Sequence, residues 1–132
     1  MPAIKHIELA VTTDRPLDRA SVVVNCDLEF TEVEVNAMNV LGLQYELSCR
    51  VLDKHLLDEN PVVTYQPKQF PSVPGAALRY EHALFDTVTE MGQMHERVLG
   101  KDQLVAELRL KNTETGTDDV KRSDVIGMDL AA

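Results

Sequence analysis

From Val22 to Phe30 every second residue is apolar (Val22, Val24, Cys26, Leu28, Phe30), while Asn25, Asp27 and Glu29 stand between them. On a helix that period would scatter the apolar groups around the whole surface; on a strand it gathers them on one face. The chain must therefore build a sheet with one dry face, and some second layer must cover it. The same alternation returns in Ile7, Leu9 and Val11, in Tyr45, Leu47, Cys49 and Val51, in Leu78, Tyr80, His82 and Leu84, and in Leu104, Ala106, Leu108 and Leu110. Half-buried strands of this kind belong to antiparallel sheets.

The interruptions set the architecture. A turn is expected at Thr13-Asp14-Arg15-Pro16. After Phe30 the phase slips, because Val33 and Val35 are apolar, so either a residue bulges near Thr31-Glu32 or a new element begins there. Pro61, Pro67, Pro71 and Pro74 exclude a central strand and predict an extended covering connection, with at most an edge strand around Val62 to Tyr65. Past Leu84 the period changes. Thr87 and Glu90 have capping-box spacing, Val88, Met91, His95, Val98 and Leu99 recur on one helical face, and Gly100 is placed to stop it, which predicts one short helix near residues 88–99. A polar loop from Asn112 to Asp119 and a final strand from Val125 to Leu130 complete the reading. About seven strands and one helix, with no repeat and no linker, predict a mainly β, single-domain antiparallel β-sandwich over residues 1–132. The strand count and the acidic alternation resemble an immunoglobulin-like or C2-like sandwich in outline; no motif accompanies the likeness, so it assigns no residue a role.

Composition excludes several roles. Thirteen basic against 22 acidic residues leave a formal net charge of −9, which repels phosphate backbones and anionic lipid surfaces, so neither nucleic acid nor membrane is an expected partner. The densest basic pair, Lys121-Arg122, is flanked by acids. Aromatic residues make up only 5% of the chain, with no Trp, too few to spare for flat sugar-binding or base-stacking platforms. The first residues lack the apolar stretch of a signal peptide, and a cytoplasmic home is expected. Cys26 and Cys49 then read as buried, reduced core residues.

Chemistry-bearing patterns are incomplete. His6, His55, His82 and His95 form no His-x-His or His-x-x-x-His pair. His82 and His95 are expected at the core or its edge, the sharper alternative being that His82, His95 and Glu96 converge where strand meets helix. No Gly-x-Ser-x-Gly elbow surrounds Ser21, Ser48, Ser72 or Ser123. Gly100-Lys101 follows a helix pattern instead of opening one, unlike a phosphate loop, and Pro71-Ser72-Val73-Pro74 is expected to be ordered loop despite its Pro-x-x-Pro form. Asp53, Asp58 and Glu59, and separately Asp118, Asp119 and Asp124, are loop carboxylates of the sort that can gather around calcium, though neither group has EF-hand spacing. No catalytic residue, cofactor or metal site is assigned. The expected role is non-catalytic protein association, with itself as a homo-oligomer or as an accessory subunit, through the 88–99 helix or a strand edge. The alternatives are a small-ligand or calcium-binding module using the acidic loops, and an enzyme whose pocket is assembled from distant residues.

Overall fold

A computed structural model describes residues 2–54, 59–94 and 102–130. In chain order the elements are β1 (Ala3–Asp14), β2 (Arg19–Glu29), α1 (Glu32–Leu41), β3 (Tyr45–Lys54), β4 (Glu59–Thr64), β5 (Lys68–Phe70), β6 (Arg79–Glu90), α2 (Met91–Met94), β7 (Asp102–Asn112), β8 (Asp118–Arg122) and β9 (Ile126–Met128). They form two antiparallel sheets. The first has the order β1-β2-β6; the second has the order β4-β3-β7-β8, with β5 also pairing β3 and β9 pairing β7.

The alternation read from the sequence decides which faces meet. Val22, Val24, Cys26, Leu28 and Phe30 are buried against Tyr45, Leu47, Cys49 and Val51 and against Leu104, Ala106, Leu108 and Leu110, one apolar cluster between the sheets. Asn25, Asp27 and Glu29 are half-exposed on the outer face. The Pro-rich connection behaves as its composition requires: β4 lies at the edge of the second sheet and β5 is a three-residue strand.

One open alternative is resolved and two expectations are corrected. Of the two readings of the phase slip after Phe30, a bulge or a new element, the second holds, and the element is a helix. Thr31 accepts from the Glu34 amide at 3.2 Å, Glu34 Oε1 accepts from the Thr31 amide at 2.8 Å, and Gly42, at φ 71°, ends α1 in the left-handed conformation glycine adopts freely. The helix expected near 88–99 is replaced over its first turn by strand, because β6 runs on to Glu90. Thr87, Val88 and Thr89 are β-branched residues that pair with Val22, Ser21 and Ala20, and this ladder with a strand whose Ala20 and Val22 are fully buried outweighs the local capping signal. Among the described residues of that segment helix remains at Met91–Met94, and both methionines are buried, so they belong to the core and not to a displayed surface. His95, Val98 and Leu99 lie outside the described residues.

The second correction concerns the face of β6. The sequence puts Leu78, Tyr80, His82 and Leu84 inward; the structure buries Ala83 and Phe85 and leaves Leu78, His82 and Leu84 exposed. A bulge causes the change. Ala83 pairs with Cys26 and Tyr80 with Leu28, so Glu81 and His82 together oppose Asp27 and the inward set shifts by one.

Candidate functional site

The outer face of the first sheet is irregular at one point. On the other side of β2 the register also slips, between Lys5 and Glu8, so the central strand is flanked by two bulges at Cys26–Asp27. Each carries a histidine at positive φ, His6 at 53° and His82 at 58°, a region costly for residues with a Cβ. Asp27 holds both. Its Oδ2 accepts from His6 Nδ1 at 2.8 Å and its Oδ1 from the His82 amide at 3.1 Å. These two bonds, the amide first, hold the Asp27 carboxyl below the usual carboxylate range. His82 is fixed further by Asn25, whose amide nitrogen lies 3.2 Å from His82 Nδ1. When that nitrogen donates, Nδ1 is the acceptor and Nε2 carries the proton, so the ring offers an N–H to whatever approaches the surface. Asn25 Oδ1 is buried without a hydrogen-bond partner in the structure. His82 is exposed and not in the core position the sequence suggested.

The two long sides of the sandwich differ. Along the first, β1 lies against β7 and β8: the Ile4 amide reaches Asp119 Oδ2 at 3.4 Å, and Arg15 donates to the Asp129 carbonyl at 2.7 Å. Along the second, β6 pairs with β2 only, and among the described residues no strand takes its other side. A groove of about 750 Å³ runs there, between β6 (Tyr80 to Leu84, and Asp86) and the segment Lys68–Ser72. Tyr65 spans the opening further along, its hydroxyl donating to the Val22 carbonyl at 2.8 Å and its ring 5.5 Å from that of Phe85. Lys68 Nζ stands 5.3 Å from the Phe85 ring centre. On the solvent face of β6, Leu84 is 46% and Val88 63% exposed, with His82 and Asp86 beside them.

Other expected sites do not assemble. Glu59 is bound bidentately by Arg122, Asp118 by Arg109 at 3.0 Å, and Asp53 is fully buried at the end of β3; Asp58 lies outside the described residues. Among the described residues no three His, Cys, Asp or Glu side chains are placed to hold a metal ion. His95 and Glu96 are outside the described residues, so their convergence with His82 is too. Cys26 and Cys49 are free and buried, and burial pushes both thiols up to about 12, far from the reactive thiolate a nucleophile needs. Pro71 and Ser72 line the groove as part of a bent loop.

One cluster was not anticipated. Glu107 alternates outward on β7, yet it is only 7% exposed. In register it sits between Arg50 on β3 and Arg122 on β8, accepting from Arg50 Nε at 3.0 Å and from Arg122 Nη2 at 2.7 Å. Only strand order makes this ladder, because the three residues are far apart in sequence. Among the described residues no helix is long and apolar enough to cross a membrane. Comparison with protein-family models, curated proteins and solved structures finds no match.

Proposed function

We propose that this protein is a non-catalytic β-sandwich module that works by associating with protein through the open edge of β6. The observation that carries the reading is that, among the described residues, β6 is paired on one side only, over a strand of 12 residues bordered by a groove and bearing exposed Leu84 and Val88. A free edge is a row of backbone donors and acceptors that a further strand can satisfy, and the side chains beside it select which strand. Lysine or proline, the usual guards of such an edge, are absent between Arg79 and Glu90, where the bulge at Glu81–His82 is the one irregularity.

The reading extends to an immunoglobulin-like or C2-like outline, supported by the two facing antiparallel sheets, and such a layout leaves edges available for association. The same reading places the protein in the cytoplasm, supported by its two free, buried cysteines. A photo-crosslinking amino acid at position 84, against one at position 40 on α1, tests the proposal in purified protein and in cell extract. Discrete protein adducts at position 84, and not at 40, are expected. A folded protein that gives no adduct at 84 in either setting refutes it.

A further inference from the structure

We infer that the outer face of the second sheet carries a binding site for a small organic acid, a carboxylate on a short apolar body, in a notch at Ser48. The notch comes from one extra residue. β3 pairs with β4 at Arg50–Thr64 and with β5 at Leu47–Lys68, so Tyr65, Gln66 and Pro67 together pass beside only Ser48 and Cys49. The Tyr65 amide still donates to the Cys49 carbonyl at 3.1 Å, which holds the segment against the strand. A hollow of about 520 Å³ lies between it and the outward side chains of β3 and β7, within the size range of small-molecule sites.

Strand register decides which side chains meet there. Ser48 stands opposite Arg109 on β7, and Arg50, two residues on, stands between Thr64 on β4 and Glu107 on β7. Opposite residues approach to about 5 Å and residues two apart on a strand to about 7 Å, so two hydroxyls and two guanidiniums border one point. Donors exceed acceptors at that point. Arg50 gives Nε and Nη2 to Glu107, and Arg109 gives Nη1 to Asp118. Nη1 of Arg50 and Nε and Nη2 of Arg109 still have N–H groups to give. Among the described residues no protein side chain or backbone group pairs with the Ser48 or Thr64 hydroxyl or with the Gln66 side-chain amide. The carboxylate on the rim is already engaged, Glu107 Oε1 by Arg50 and Oε2 by Arg122.

Arg50 and Arg109 occupy diagonal positions and repel each other; an anion over Ser48 accepts from both and removes that repulsion. A carboxylate matches the fork of an arginine, and Pro67 and Tyr65 on the same rim supply apolar surface for the rest of the molecule. The net charge of −9 repels anions at long range, but at moderate salt that field is screened beyond about 8–10 Å, and the local donors decide. Since β6 lines no part of the notch, this inference stands or falls apart from the association reading.

The test is an amide chemical-shift titration of the full chain with sodium benzoate at constant ionic strength, with acetate and inorganic phosphate as separate arms. The proteins are wild type, Ser48→Ala, Arg109→Gln, Arg109→Lys and Arg19→Gln. Arg109 and Arg19 are exposed and Ser48 is half-buried, so the variants should keep the wild-type circular dichroism. Benzoate is expected to give saturable shifts centred on Ser48, Gln66 and Arg109, with tighter binding than acetate. Ser48→Ala should weaken benzoate about 2- to 10-fold and Arg109→Gln about 10-fold or more. Arg109→Lys should lose nearly as much as Arg109→Gln, because an ammonium keeps the charge without the fork. Arg19→Gln, on the first sheet, should leave binding unchanged. Absence of saturable benzoate shifts overturns the inference, and so does an equal loss in Arg19→Gln, the mark of unspecific charge attraction. Phosphate bound more tightly than benzoate overturns the organic acid, and shifts centred on β6 overturn the notch.

Discussion

Replacing Glu107 by Gln tests whether the charge ladder on the outer face of the second sheet contributes to stability. Burial alone would push the Glu107 carboxyl up, but hydrogen bonds from Arg122 and Arg50 outweigh it and hold the group below the usual carboxylate range. Removing one partner of a fully buried ion pair costs about 3–5 kcal/mol, and a surface pair is worth at most about 1 kcal/mol. Glu107 is close to the buried limit at 9% side-chain exposure, while Arg50 and Arg122 are 45% and 38% exposed and can recover water. Arg122 also keeps its bidentate contact with Glu59. The loss is therefore intermediate, about 2 kcal/mol. Urea unfolding at pH 7 reads it as a lower midpoint. The sign with pH follows from the lowered pKa: the contribution is complete above the unfolded carboxyl value and disappears as pH falls through the lower folded value. The gap between wild type and Glu107→Gln should thus narrow on acidification. A gap at pH 7 below about 0.5 kcal/mol, or one that does not change with pH, would refute the reasoning.

Two further outcomes follow from the core. Leu28→Ala, at a fully buried position between the sheets, should cost about 2–5 kcal/mol in urea unfolding, and Glu29→Ala on the opposite face clearly less; equal losses would contradict the register of β2. Cys26 and Cys49 should react with alkylating reagent under native conditions only as fast as the protein unfolds, and rapid labelling of either would contradict their burial.

The Asp27 site and the open edge differ in how far they could be read in advance. His6, Asp27 and His82 are visible as residues, but nothing in their spacing says that they meet, because the meeting depends on two bulges aligned on either side of β2. The face of β6 was ambiguous in the same way. Leu78, Tyr80, His82 and Leu84 alternate as well as Ala83 and Phe85 do, and one extra residue exchanges the two sets. The signal for α1 is in the sequence too: Thr31 and Glu34 have the same capping-box spacing as Thr87 and Glu90, and only the first pair caps a helix.

By itself the sequence determined that the chain forms antiparallel sheets, which faces of β2, β3 and β7 are dry, and that the Pro-rich segment lies at an edge. These are local properties, since a period of two and the missing proline N–H act within a few residues whatever the rest of the chain does. The tertiary structure decided the rest. It chose strand over helix for Thr87 to Glu90 because pairing with β2 outweighed a local cap, and it placed Glu107 between Arg50 and Arg122. It closed the β1 side against β7 and β8 while leaving β6 open among the described residues. Strand order and bulges are settled by contacts between residues distant in sequence, and no short window of sequence contains those contacts.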